Sequence, residues 1–271
     1  MKTVLTRLLI LVVALIPSLS AAQRRIVIDP GHGGTDPGGV GNGLQEKNIV
    51  LDVATRFKAL LDADTANTSG GGSWVALRTR TTDTFVSLSA RAAFSNNQDA
   101  DRFMSIHANA FSDPSANGTE TFAFAEGGLG AALRNLVQSE MIAAWGLTNR
   151  GNKTANFAVL RDTAAPAILH ELAFITNATD VLKLGSATER QKAAVAHLRA
   201  IQRHFGITPF VPSLLAFADG TPSDDPAAGP EVPDDPGSGG HAGCSTSSGP
   251  SGAFTALALL GLATIARRRR R

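Results

Sequence analysis

The sequence predicts a single α/β domain with a largely parallel or mixed central sheet flanked by helices. Three observations carry that expectation. Short β-branched runs alternate with longer stretches of helical spacing, and polar and glycine residues collect where the strand-like runs end. The composition, 43% apolar and 18% charged over 271 residues, is that of a globular chain rather than a disordered or polytopic one.

Taken in order, Arg25-Ile26-Val27-Ile28-Asp29 is a β-branched run stopped by Pro30-Gly31, which marks a first strand. From Asn48 to Leu61 the apolar residues Ile49, Val50, Val53, Phe57, Leu60 and Leu61 recur at helical spacing. A strand is expected from Trp74 to Arg78, a helix from Leu88 to Asn96, and strands from Arg102 to Ile106 and from Glu120 to Ala125. A helix from Ala131 to Trp145, a strand from Ala167 to His170 and a last helix from Ala187 to Phe205 complete the pattern. No internal repeat is visible, and residues 23–207 read as one domain.

The two ends differ in kind from this middle. Residues 1–22 combine a short basic start, the apolar run Leu8 to Ile16 and the small residues Ser18 to Ala22, the three parts of a secretory signal cleaved near Ala22. An N-terminal anchor is the other reading, but the apolar run is short for a hydrocarbon core of about 30 Å. Residues 208–243 are rich in Pro, Gly, Asp and Ser and lack Lys and Arg, as in a disordered acidic linker. Residues 244–271 begin with the only cysteine, Cys244, continue through the apolar run Ala253 to Ala266 and close on Arg267 to Arg271. A single cysteine excludes an internal disulfide, so the core is held by packing.

Charge excludes a general nucleic-acid binder. The net charge of +2 and the 25 basic residues include the five terminal arginines, while six acids fall between Asp219 and Asp235. The folded middle is near neutral, and the overall basicity belongs to the termini.

Strand ends carry the candidate chemistry. Asp29-Pro30-Gly31-His32-Gly33-Gly34 follows the first strand, Ser105-Ile106-His107-Ala108-Asn109 closes another, and His170-Glu171 a third. The glycines around His32 lack both Gly-Lys-Ser/Thr and GxGxxG spacing, so a tight turn exposing an imidazole is favoured over a phosphate cradle. Two His and one carboxylate form a ligand set for catalytic zinc with an open position for water, and His32, Glu46 and His107 could supply it. Their spacing is not the His-Glu-x-x-His helix pattern, and it does not establish a site. His197 and His204, on the last helix, are expected to be background residues.

Ile26 through Gly34 with Glu46-Lys47 downstream resembles the opening of the zinc-dependent N-acetylmuramoyl-L-alanine amidases, the amidase_3 family. So do Leu77-Arg78-Thr79-Arg80 with Leu88 and Arg91, Ser105 to Asn109, Asn149-Arg150-Gly151, Val159-Leu160-Arg161 and Pro166 to Asn177, in order over about 180 residues. The resemblance implies one α/β domain, Zn2+ held by His32, Glu46 and His107, and Glu171 as the catalytic acid/base. It also implies cleavage of the amide between the lactyl group of N-acetylmuramic acid and L-alanine in peptidoglycan. Two positions depart from the family pattern: His170 stands where an apolar residue is usual, and Ala173 where Gly is usual. Strand alternation places His170 on the face opposite Glu171.

Gly243-Cys244, the apolar run and the arginines are similar to the myxobacterial type of C-terminal sorting tail. That likeness implies processing by a membrane sorting protease and delivery to the cell surface; a plain membrane anchor is the alternative. The expected protein is thus an exported monomer of the periplasm or cell surface that acts on peptidoglycan and touches the membrane through its tail. A zinc carboxypeptidase of wall peptides, a silent peptidoglycan-binding regulator and a purely structural surface protein are the competing readings.

Overall fold

The computed structural model describes residues 23–67 and 71–212. The signal segment 1–22, the linker beyond residue 212 and the tail 244–271 lie outside the described residues.

The centre is a six-stranded mixed sheet. It is built from β1 (Arg24–Pro30), β4 (Trp74–Arg78), β5 (Arg102–Asn109), β6 (Thr119–Ala123), β7 (Asn149–Thr154) and β8 (Ala167–Phe174), in the order β4-β1-β5-β8-β6-β7. β4, β1, β5 and β8 run parallel; β6 pairs antiparallel with β8 and parallel with β7. A two-stranded hairpin, β2 (Val40–Gly41) and β3 (Leu44–Gln45), stands apart. The helices are α1 (Glu46–Ala66), α2 (Leu88–Asn97), α3 (Gly128–Trp145), α4 (Ala158–Arg161), α5 (Asp180–Gly185) and α6 (Ala187–His204).

Period-two alternation sorts the sheet's residues onto two faces. Ile26, Ile28, Met104, Ile106 and Ile168 enter the larger apolar cluster, which also takes Val53, Phe57 and Leu61 from α1, Val137 and Met141 from α3, and Leu198 and Ile201 from α6. Val27, Phe103, Ala167 and Leu169 turn the other way and pack with Val159 and Leu160 of α4 and Phe94 of α2. The helix starts are locally encoded: Ser87 Oγ accepts from Ala90 N at 3.2 Å, and Ser186 Oγ from Glu189 N at 3.3 Å. Gly146, in the left-handed region at φ 62°, ends α3.

Several bounds and elements differ from the sequence expectation. α1 starts at Glu46 rather than Asn48, and β8 continues to Phe174, so Glu171 lies within a strand and not at its end. β6 stops at Ala123, α3 begins at Gly128, and β2, β3, β7, α4 and α5 are additional. These extra elements are two residues, polar or a turn or two long, too weak in pattern to register as periodicity.

Candidate metal centre and active site

Three loci meet at the carboxyl ends of β1 and β5 and the start of α1, the place where parallel α/β sheets present their ligand sites. His32 follows β1 in a left-handed conformation, φ 58°, unusual for a residue with a side chain. Two arginines fix that turn. Arg80 donates to Pro30 O at 3.0 Å and to Gly31 O at 2.7 Å. Arg91 donates to Pro30 O and His32 O, both at 2.6 Å, and pairs with buried Asp29 at 2.7 Å. Asp29 is further held by Thr79 Oγ1 at 2.6 Å and Ser105 Oγ at 2.7 Å. The arginines of the quoted motifs therefore build the backbone that aims His32.

Glu46 opens α1, and its Oε1 lies 3.1 Å from His32 Nε2 and 2.9 Å from His107 Nδ1. The Ala108 amide donates to the same oxygen at 2.8 Å, and the Gly39 amide donates to Oε2 at 2.7 Å. The other nitrogen of His32, Nδ1, contacts Asp36 Oδ2 at 2.8 Å. The two imidazoles meet edge-on with centroids 4.9 Å apart. The space is tight: a Cβ on Gly31 would fall 2.3 Å from the His107 ring, and one on Gly38 2.5 Å from Glu46 Oε2.

The electrostatics favour positive charge at this point. Burial alone would lower the His32 pKa, but Glu46 and Asp36 outweigh it and raise it. Burial likewise opposes ionisation of Glu46, yet its contacts with His107 and His32 hold the carboxyl well below the usual range. One ligand atom from each of His32, Glu46 and His107 lies within 4.8 Å of the others, the one group among the described residues placed to hold a metal ion. Two imidazole nitrogens and a carboxylate oxygen, with Asp36 orienting one imidazole from behind, fit the donor chemistry of a divalent zinc-type ion.

Glu171 stands on β8 in register with His107, on the same side of the sheet. Its Oε2 is buried without a hydrogen-bond partner. Burial, then the carboxylates of Glu46 and Glu120, push its pKa well above the ordinary carboxylate value. A free oxygen with a raised proton affinity beside the metal-capable cluster is what a proton-transfer group requires.

His170 faces the other way, as alternation requires, and is fully buried. Its Nδ1 lies 3.0 Å from His197 Nε2 and its Nε2 2.9 Å from Thr119 Oγ1, while His197 Nδ1 donates to Ala193 O at 2.7 Å. His204 accepts from Arg102 Nε at 2.6 Å. His197 and His204 thus stand apart from the cluster. Ala173 is buried in the larger apolar cluster, which accommodates its methyl group. Glu120, adjacent to Glu171 on β6, and Asp36 carried no signal in the sequence beyond being acidic.

Comparison with known proteins identifies the family. Residues 26–203 match the family model described as N-acetylmuramoyl-L-alanine amidase, Amidase_3. The chain is 38% identical over 184 residues to the sporulation-specific N-acetylmuramoyl-L-alanine amidase of Bacillus subtilis, covering 68% of this chain and 69% of that protein. It is 41% identical over 173 residues to the N-acetylmuramoyl-L-alanine amidase LytC of the same organism, of which it spans 33%. The solved catalytic domain of CwlV, an N-acetylmuramoyl-L-alanine amidase of Bacillus (Paenibacillus) polymyxa var. colistinus, superposes with a TM-score of 0.63 at 30% identity, covering 69% of this chain and all of that one. The chain belongs to the N-acetylmuramoyl-L-alanine amidase family of peptidoglycan hydrolases.

Proposed function

We propose that the chain hydrolyses the amide between the lactyl group of N-acetylmuramic acid and L-alanine, with zinc held by His32, Glu46 and His107 and with Glu171 moving the proton. The observation that carries this is the convergence of two imidazoles on one Glu46 oxygen, with Glu171 in register beside His107. An amide is a poor electrophile with a poor leaving group, so the site must activate water, polarise the carbonyl and protonate nitrogen. Zinc at the three ligands supplies Lewis acidity, which polarises a carbonyl and lowers the pKa of a water toward about 7. Glu171 takes the proton of the attacking water, and the C–N bond then breaks as Glu171 returns that proton to the departing amine. One water is consumed, leaving a carboxylic acid on the lactyl group and a free amine on L-alanine.

Asp36 holds the His32 ring through Nδ1, which leaves Nε2 for the metal. Glu171→Gln keeps the metal ligands and removes the proton carrier. The expected result is full zinc content with a loss of roughly two to four decades in rate. Replacing His32, Glu46 or His107 with Ala lowers zinc content and rate together. A Glu171→Gln protein that loses its zinc would assign the roles wrongly.

The proposed setting is the periplasm or cell surface, supported by the signal-like residues 1–22 and the tail from Cys244 to Arg271. Processing near Cys244 removes the arginines, so the intact mass of the chain from its native host separates a sorting tail from an anchor that retains Arg271.

A further inference from the structure

The end of the sheet away from the metal-capable cluster holds a cavity of about 300 Å3, between β6, the start of α3 and the loop that leads into β8. Its edge at Ala167 lies four residues along β8 from Glu171, roughly 13 Å, so the cavity is separate from the metal-capable cluster.

The start of α3 opens onto it. Gly127, Gly128, Leu129 and Gly130 line the cavity, and no side chain caps the helix. The amides of Gly128, Leu129 and Gly130 belong to the first turn, where no intrahelical acceptor exists, and none has an acceptor among the described residues. Glu126, next in sequence, is turned away, with its two oxygens on Arg134, each at 2.8 Å. A Cβ at Gly127 or Gly128 would meet nothing within 4 Å; their φ values of 78° and 67°, not packing, call for glycine.

An independent feature points to the same place. Thr163 lines the cavity and is only 8% exposed, and its Oγ1 is buried without a hydrogen-bond partner. A buried hydroxyl left unpaired is costly, and the cavity is the side from which a partner can come. The charge nearby is already committed. Arg161, the cation of the lining, is held by the two oxygens of Asp162 at 2.8 and 2.9 Å. Phe124 and Leu129, 49% and 53% exposed, join Leu160 and Pro166 as apolar wall.

We propose that this cavity binds a carboxylate carried on a short apolar body. Its oxygens accept from the α3 amides and the Thr163 hydroxyl, and its hydrocarbon lies against Phe124 and Leu129. Helix starts favour anions, and a row of N–H and O–H donors suits a carboxylate, which only accepts. A phosphate dianion asks for an uncommitted cation, which the lining lacks. The last residue of a peptide and a short fatty acid both present this chemistry. The proposal does not rest on the amidase reading and can fail while that reading stands.

The test follows the backbone amide resonances of the isotope-labelled full chain during titration with N-acetyl-L-leucine, N-acetyl-L-leucinamide, hexanoate and inorganic phosphate. N-acetyl-L-leucine is expected to shift the Gly128, Leu129 and Gly130 signals saturably in the millimolar range, with the amide about tenfold weaker or worse. Hexanoate binding as tightly assigns the site to fatty acids, and weaker hexanoate binding assigns it to peptide carboxyl termini. Thr163→Val is expected to weaken binding about tenfold while the urea midpoint holds or rises, because the hydroxyl has no internal partner to lose. Leu129→Glu adds a charge that the helix start favours, so the chain folds, yet it repels the ligand and abolishes the shifts. Still signals with every probe, equal affinity for the amide or for phosphate, or unchanged binding in Thr163→Val would overturn the proposal. So would a lowered urea midpoint in Thr163→Val, which would give the hydroxyl a structural role instead.

Discussion

A methyl group at position 31 would sit 2.3 Å from the His107 ring, well inside contact distance, so the ring would have to shift. Gly31→Ala is therefore expected to fold, because the clash is local, and to bind zinc roughly ten to a hundredfold more weakly, as losses of ligand orientation do. Zinc titration alongside circular dichroism checks both halves. Arg91 is the complementary case: its guanidinium serves Asp29, Pro30 O, His32 O and Val86 O at once. Removing it in Arg91→Ala leaves Asp29 as an uncompensated buried charge and is expected to cost about 3–5 kcal/mol in denaturant unfolding. Arg91→Lys keeps the charge but has no planar fork to span four acceptors, so it rescues only part of the loss. The proposed ligands could be named in the sequence through the family likeness of their motifs, whereas these roles could not. A glycine kept small by a ring 76 positions away leaves no local pattern.

β8 joins two chemistries through alternation, with Glu171 toward the metal-capable cluster and His170 toward α6. Burial, then the neighbouring His197, holds His170 well below its ordinary pKa, and burial lowers His197 to about 4. Burial and Arg102 also bring His204 to about 4. Since these folded-state values lie below the unfolded value near 6.5, the unfolded chain takes up protons first as pH falls. The stability supplied by the neutral rings is whole above about pH 6.5 and is lost as pH falls below it, at up to ~1.4 kcal/mol per pH unit for each fully buried ring and less for half-buried His204, down through about 4 for His197. Unfolding midpoints in urea at pH 8, 6 and 5 measure that slope. His170→Val is expected to make it shallower and to cost about 1–3 kcal/mol at pH 8, because His197 Nε2 and Thr119 lose their partner. The pH–rate profile should stay in place, since the ring points away from Glu171. A moved acidic limb would put His170 in the catalytic site. At this scale the sequence was legible where apolar spacing was strong, as in β1, α1 and α6. It was silent on β7, Asn149–Thr154, an edge strand of polar residues with little to bury on either face.

For the molecule as a whole, the parallel set β4-β1-β5-β8 brings together His32, Glu46, His107 and Glu171 from a loop, a helix start and two strands. That convergence depends on sheet order, which periodicity alone does not specify; the family likeness supplied it at the sequence level. The antiparallel β6 and its partner β7 then extend the same face beyond Glu171. The most direct test of the central claim weighs the products formed when the zinc-loaded full chain acts on purified N-acetylmuramoyl-peptides. The expected products are N-acetylmuramic acid and a peptide with a free L-alanine amino terminus, heavier together than the substrate by one water, with no reaction under chelation and recovery on adding zinc. Loss of a residue from the peptide's carboxyl end with the muramoyl link intact, or unchanged amide cleavage by metal-free protein, would contradict it.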